Sequence, residues 1–89
     1  MKAKQQSRKL EETKQNLGEC VEQALEKYFH DLDGHEATGL YELVIAQVER
    51  PLFEAMLTRY KGNISKTSRA LGLNRATLRS RLRKYGLSG

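Results

Sequence analysis

The sequence predicts an all-α fold with four helices per subunit, an intertwined homodimer and a C-terminal helix-turn-helix. Apolar side chains recur at helical spacing along most of the chain after residue 15. One long segment, residues 39–60, is apolar around most of its circumference, which favours burial against a second subunit. Near the C-terminus, two short helical patterns flank Gly72, the arrangement of a helix-turn-helix.

Composition narrows the class of protein. A chain of 89 residues forms one domain at most and buries only a modest fraction of its surface. No apolar run approaches the roughly 20 residues that span a membrane. Cys20 is the single cysteine, so an internal disulfide is excluded and a cytoplasmic protein is expected. The isoelectric point of 9.6 points to an acidic polymer as the partner.

Residues 1–15 are polar and basic, with five Lys/Arg and two Glu. After Met1, Leu10 is the only large apolar side chain in this segment, which is too little for a core. We therefore predict a flexible basic tail here, followed by dimerisation helices over residues 16–60 and a DNA-binding region over residues 61–89.

The first helix is predicted to begin after Asn16, because Asn16 and Glu19 have the spacing of a capping box. It runs to about Leu32, and Asp33 and Gly34 end it. Its apolar stripe comprises Val21, Leu25, Tyr28 or Phe29, and Leu32.

The second helix is predicted from Gly39 to about Tyr60. More than half of its residues are apolar and they fill several faces, so we expect an interlocked homodimer. Pro51 either kinks this helix or starts a separate one, and the unbroken apolar pattern favours a kink. The predicted dimer interface comprises Val21, Leu25, Phe29, Leu40, Leu43, Val44, Val48, Leu52 and Met56.

The helix-turn-helix is predicted from two helical faces separated by Gly72, a residue that takes a positive φ without a Cβ clash. Asn74 can cap the second of its helices. The first face comprises Ile64, Thr67, Ser68 and Leu71, and the second comprises Leu78, Leu82 and Tyr85, with Leu73 entering from the turn.

Charge is distributed very unevenly along the chain. Residues 55–89 contain nine Lys/Arg and no Asp/Glu, whereas residues 1–54 contain seven basic and all eleven acidic residues. The net charge of +5 therefore divides into −4 and +9. A one-sided basic helix-turn-helix is typical of a surface that binds the phosphates of DNA.

The same stretch resembles two groups of proteins. The motifs G-N, A-L-G-L-N-R-A-T-L-R and L-R-K-Y-G are similar to the helix-turn-helix of the Fis family, and to the domains that end bacterial enhancer-binding activators. Upstream, V-E-Q-A-L-E-K-Y-F and L-Y-E-L-V-I-A-Q-V-E-R-P-L also resemble Fis. The resemblance covers about residues 19–86 and, with the start at Met1, favours the Fis family.

The resemblance implies a dimer with a four-helix core whose recognition helix, from Asn74 to Tyr85, enters a major groove. At the start of that helix, Arg75 is expected to read a base through guanine O6 and N7, with a further base contact from Asn74. Backbone N–H groups at a helix start are natural phosphate ligands. The expected phosphate contacts are Asn63, Ser65, Lys66, Thr77, Arg79, Ser80, Arg81 and Lys84.

The resemblance further implies a nucleoid-associated transcription regulator that bends double-stranded DNA with loose sequence preference. The turn at Lys61 and Gly62 corresponds to the family's contact with RNA polymerase, although Thr58 and Ile64 depart from the family's polar pattern there. Residues 5–15 lack the strand alternation of the family's β-hairpin arm, which argues against a DNA invertase as a partner.

The sequence leaves two alternatives to a Fis-like protein, namely the C-terminal domain of an enhancer-binding activator and a helical protein-interaction module that binds no DNA. An enzyme is not expected, because the sequence shows neither a catalytic nucleophile combined with a general base nor a phosphate-binding glycine loop. His30 and His35 have no partner cysteine or second histidine pair, so no metal or other cofactor is predicted.

Overall fold

The computed structural model describes residues 16–87, and the predicted tail at residues 1–15 lies outside them. The described residues form four α-helices and no strand, which confirms the all-α prediction. These are α1 (Leu17–Leu32), α2 (Leu40–Arg59), α3 (Ile64–Leu71) and α4 (Arg75–Lys84). The chain divides into two compact units between Leu40 and Tyr41. The functional division predicted at residue 60 stays a prediction.

α1 begins and ends where the sequence predicts. The Asn16 Oδ1 accepts a hydrogen bond from the Glu19 N–H at 2.8 Å, and the Asn16 Nδ2 donates to the Glu19 Oε1 at 3.3 Å. At the other end Asp33 takes a left-handed conformation, and its N–H donates to the carbonyl of His30. No residue of α1 is buried, and Leu17 and Phe29 are among its exposed apolar side chains.

α2 is one continuous helix that contains Pro51 in its interior. The alternative that Pro51 starts a separate helix is therefore wrong. α2 ends at Arg59, and after Tyr60 come two successive residues with positive φ, Lys61 at 52° and Gly62 at 78°. This turn is closed by the Gly62 N–H, which donates to the Leu57 carbonyl at 2.9 Å. A left-handed pair of this kind redirects the chain directly into α3.

The core of the second unit joins α2 to the helix-turn-helix. Phe53 contributes from α2, and Leu78, Leu82 and Tyr85 contribute from α4 and its C-terminal end. The rings of Phe53 and Tyr85 lie 6.1 Å apart. Six partly buried side chains surround this cluster: Ala46, Leu57, Ile64, Leu71, Leu73 and Leu87. The apolar faces predicted for both short helices are confirmed.

Two buried hydroxyls complete the packing of α3. The Thr67 Oγ1 donates to the Asn63 carbonyl at 2.7 Å, and the Ser68 Oγ donates to the Ser65 carbonyl at 3.0 Å. Both side chains are therefore satisfied by the backbone at the start of their own helix, which removes the cost of burying them.

The turn between α3 and α4 depends on Gly72, whose φ is 76°. The N–H groups of Gly72 and Leu73 both donate to the Ser68 carbonyl, at 2.9 and 3.0 Å. A residue with a Cβ is strained in this left-handed conformation, whereas glycine is not. The predicted helix-turn-helix is therefore present, with its turn at the predicted residue.

Candidate nucleic-acid interface

The N-terminal ends of α3 and α4 are built in the same way. Asn63 caps α3, its Oδ1 accepting from the Lys66 N–H at 2.9 Å. Asn74 caps α4, its Oδ1 accepting from the Thr77 N–H at 2.8 Å. Both asparagines are exposed. The cap at Asn74 is predicted from the sequence, whereas Asn63 is predicted only as a phosphate ligand, although the same residue type precedes both helices.

Arg75 lies at the start of α4 and reaches back towards α3. Its Nη1 donates to the Ser65 Oγ at 3.4 Å, and its side chain is exposed. The structure therefore places the predicted base-reading arginine beside a predicted phosphate ligand. Lys66, the next residue of α3, is exposed as well. The starts of the two helices consequently present cationic and hydroxyl groups side by side.

A shallow groove of about 450 Å³ runs along one face of α4. Two hydroxyl groups and two cationic groups converge on it, which is the mixture of donors that oxyanions accept from. Its lining comprises Ala76, Thr77, Ser80, Arg81 and Lys84. Four of the predicted phosphate ligands are thus brought together on one surface.

Arg79 does not line that groove. It lies with Arg83 at a separate hollow of about 570 Å³. The remaining lining of this hollow is mostly aliphatic, with Leu57, Gly62, Ile64, Leu82 and Leu87. Arg79 is exposed, but the structure separates it from the four residues of the groove.

Two carboxylates of α2 contact the C-terminal half of α4, and neither contact is predicted from the sequence. The Lys84 Nζ lies 2.7 Å from the Glu42 Oε2, and the Arg81 Nη1 lies 3.6 Å from the Glu49 Oε1. The Tyr85 hydroxyl donates to the same Glu49 oxygen at 2.6 Å. The spacing of Glu42, Glu49 and Phe53, at i, i+7 and i+11, was the available signal that these carboxylates share the core-facing side of α2.

These contacts reinforce the ordinary charge states of the groups. The hydrogen bond to Glu42 raises the pKa of the Lys84 ammonium, and the same bond lowers the pKa of the Glu42 carboxyl. The hydrogen bond to Glu49, together with burial, raises the pKa of the Tyr85 hydroxyl. At neutral pH the pair of Glu42 and Lys84 is therefore fully ionised.

Among the described residues, the other cations of α3 and α4 have no carboxylate partner. Within residues 16–87, ion pairs involve only three cations, two of which are Arg81 and Lys84. The cations of α3 and α4 that form no ion pair within this range are Lys66, Arg69, Arg75, Arg79 and Arg83. The surface therefore keeps an uncompensated positive charge.

Metal-binding and membrane-spanning features are both missing from the part of the chain that the structure describes. Among residues 16–87, no group of three or more His, Cys, Asp or Glu side chains could hold a metal ion. None of the helices described here has the length and apolarity needed to cross a membrane.

Comparison with known proteins identifies the family. Residues 44–85 match the family model described as bacterial regulatory protein, Fis family. Residues 1–37 match the N-terminal domain of the DNA-binding protein Fis. The chain is 47% identical over 76 residues to the DNA-binding protein Fis of Actinobacillus succinogenes, a match that covers 85% of this chain and 77% of the relative.

The chain belongs to the Fis family. The corresponding protein of Proteus mirabilis is 42% identical over 76 residues, covering 85% of this chain and 78% of that relative. The resemblance inferred from the sequence motifs is therefore confirmed. All the candidate DNA-binding residues of this Fis family protein, from Asn63 to Lys84, fall within the region matched by the Fis family model.

Proposed function

We propose that this Fis family protein is a nucleoid-associated transcription regulator that binds and bends double-stranded DNA as a homodimer. The exposed basic surface at the starts of α3 and α4 and along the groove of α4 carries the proposal. Its relatives in Actinobacillus succinogenes and Proteus mirabilis are named DNA-binding proteins, which supports the same role here. The proposed location is the nucleoid, within the cytoplasm. We propose no catalytic activity.

In this proposal α4 enters the major groove, which is wide enough to admit a helix. Arg75 stands in the first turn of α4 and is exposed. A guanidinium can bond guanine O6 and N7 together, so Arg75 is the proposed base-reading residue. Asn74 lies beside it at the cap. The base contacts are therefore confined to the N-terminal end of α4.

The remaining contacts are proposed to reach phosphates. Asn63, Ser65 and Lys66 act from the start of α3, where unpaired backbone N–H groups also favour an anion. Thr77, Ser80, Arg81 and Lys84 act from the groove of α4. Arg79 acts from its own position outside the groove. Because phosphate contacts outnumber base contacts, the proposed binding is tight but loosely specific.

The dimer is supported by apolar side chains that a single chain leaves exposed. Phe29, Leu43 and Leu52 are 50%, 52% and 41% exposed. Six other side chains of the predicted interface are only partly buried: Val21, Leu25, Leu40, Val44, Val48 and Met56. Isolated exposed apolar residues are ordinary, but a large set along the same helices marks an interaction surface. A second copy of this chain is the proposed occupant.

Bending follows from the dimer in the proposed mechanism. As the Fis resemblance implies, the two copies of α4 lie too close together to enter successive major grooves of straight DNA. The duplex then bends and its central minor groove narrows, so that DNA shape contributes to site choice. A contact between RNA polymerase and the turn at Lys61 and Gly62 stays a prediction. Stimulation of a DNA invertase is not proposed.

The proposal is tested by a gel-shift titration on duplexes of equal length that carry one site at different positions. We expect discrete complexes whose mobility is lowest when the site is central, because a central bend shortens the end-to-end distance most. Complexes with equal mobility at every position would remove bending and leave an ordinary helix-turn-helix regulator. Absence of any complex at low salt would favour the protein-interaction module.

Arg75→Ala should weaken binding to a preferred site by about 1–3 kcal/mol and flatten the preference among sequences. The reason is that the variant removes a proposed base contact. The measurement is a competition titration with a preferred and a scrambled duplex. Arg83→Ala is the matched control, because Arg83 is an exposed arginine of the same helix, located away from the groove. An unchanged sequence preference in Arg75→Ala would reassign Arg75 to phosphate binding.

A further inference from the structure

We propose that the carboxylate of Glu42 competes with DNA phosphates for the ammonium group of Lys84, and so holds the DNA affinity of this protein below its maximum. The inference rests on the proposed function, since it concerns one of the proposed phosphate ligands. It adds a residue of α2, outside the helix-turn-helix, to the set that determines affinity.

The geometry places Lys84 between the Glu42 carboxylate and the groove of α4. Its Nζ lies 2.7 Å from the Glu42 Oε2, a distance typical of a strong charge-assisted hydrogen bond. The same lysine lines the groove of α4 together with Thr77, Ser80 and Arg81. A phosphate in that groove would therefore meet a Lys84 side chain whose ammonium is already bonded to Glu42 of α2.

The position of the Lys84 side chain is fixed from a second direction. Its Nζ lies 5.7 Å from the centre of the Tyr85 ring, a cation–π distance. The Tyr85 ring is in turn fixed by packing on Phe53 and by the hydrogen bond from its hydroxyl to Glu49. The contacts of Lys84 with the Tyr85 ring and with Glu42 therefore direct its ammonium towards α2.

A phosphate can join this pair only at a cost. The Lys84 ammonium keeps two further N–H donors, but a phosphate bound to them lies close to the Glu42 carboxylate, and like charges at such distances repel each other. The Lys84–phosphate contact therefore reaches its full strength only when the ammonium leaves Glu42 and the carboxylate returns to water. Because the Lys84 and Glu42 side chains are 43% and 65% exposed, solvent and a phosphate can both reach the pair.

The neighbouring pair of Arg81 and Glu49 behaves differently. The Glu49 side chain is only 19% exposed, and its Oε1 already accepts the Tyr85 hydroxyl at 2.6 Å. The Arg81 Nη1 lies 3.6 Å from that oxygen, so the guanidinium keeps further N–H groups for a phosphate. Glu49 consequently positions the C-terminal end of α4, whereas Glu42 is the carboxylate that competes with DNA phosphates.

The test compares Glu42→Gln with Glu54→Gln. Both variants remove one negative charge from α2, but Glu54 is exposed and forms no ion pair within residues 16–87. We expect Glu42→Gln to strengthen binding to duplex DNA about two- to fivefold per subunit, the range set by surface ion pairs. Glu54→Gln should change the affinity less than about twofold, since only general electrostatics acts there.

The dependence on salt supplies a second readout. In the parent protein, salt screens the pair of Glu42 and Lys84 as well as the phosphate contacts, so rising salt weakens the competition by Glu42 and offsets part of the loss of DNA affinity. Glu42→Gln removes that offset and should steepen the slope of log K against log salt by up to about one per subunit. Glu54→Gln should leave the slope unchanged. Lys84→Gln should cost more affinity in the Glu42→Gln background than in the parent protein.

The possible outcomes separate the inference from the proposed function. If the parent protein fails to bind DNA, the proposed function itself is wrong. If the parent binds but Glu42→Gln and Glu54→Gln behave alike, competition by Glu42 is excluded while DNA binding stands. Weaker binding by Glu42→Gln would also overturn the inference, because Glu42 would then orient Lys84 towards the phosphate. Circular dichroism checks that all variants keep their helices.

Discussion

Raising the salt concentration from about 50 to about 200 mM should weaken binding to duplex DNA roughly 10³-fold or more, if six to ten phosphates are engaged. The expectation follows from the nature of the proposed contacts. Each cation that neutralises a phosphate releases counterions, and their release is less favourable when salt is abundant. Lys66, Arg75 and Arg79 form no ion pair within residues 16–87, so they are available for this neutralisation.

The salt experiment has a matched pair of variants. Lys66→Gln should lower the slope of log K against log salt by about one for each phosphate interaction that it removes. Lys27→Gln is the control, because Lys27 lies on α1 and already pairs with Asp31 at 3.6 Å. The measurement is fluorescence anisotropy on a labelled duplex at several salt concentrations. A flat response of the parent protein would contradict the phosphate-binding surface.

Leu52→Glu should convert the proposed dimer into a monomer. Leu52 is 41% exposed in a single chain, so a monomeric protein would tolerate the change within about 0.5 kcal/mol. In a dimer the new carboxylate would be buried without a partner, at several kcal/mol per ion. A two-fold interface contains the substitution twice. Association should therefore weaken by more than about 10³-fold, since about 1.4 kcal/mol corresponds to a factor of ten.

Light scattering on each purified protein measures its mass and so reports the loss of the dimer directly. The parent protein and Gln47→Glu should both have the mass of a dimer. Gln47 is the control because it is an exposed residue of the same helix, outside the predicted interface. Leu52→Glu should have the mass of one chain and should bind a full DNA site much more weakly. A folded, monomeric parent protein would contradict the proposed interface.

The helices could be predicted because their limits are local. Asn16 and Asn74 both precede their helices as caps, and Gly72 is the left-handed residue of the turn, as the sequence indicates. The apolar spacing likewise identifies Leu78 and Leu82 as core residues. Each of these features depends on neighbours within about four positions along the chain, which is the range over which helical periodicity is informative.

The surroundings of Arg81 and Lys84 could not be predicted in the same way. The last third of the sequence contains no acidic residue, so its cations look uniformly free for DNA. In the folded chain, Glu42 of α2 contacts Lys84, which is 42 positions away, and Glu49 contacts Arg81, which is 32 positions away. Local spacing places those carboxylates on one face of α2, but only the tertiary packing shows which cations they meet.

The cap at Asn74 has a consequence for the base contact proposed for this residue. Because its Oδ1 accepts a hydrogen bond from the Thr77 N–H, the cap fixes the orientation of the amide and leaves both Nδ2 hydrogens as donors. Guanine, adenine and thymine each present an acceptor in the major groove, whereas cytosine presents a donor. A base contact made through Nδ2 therefore suits guanine, adenine or thymine and not the amino group of cytosine, so we expect the contact proposed for Asn74 to discriminate against only one of the four bases.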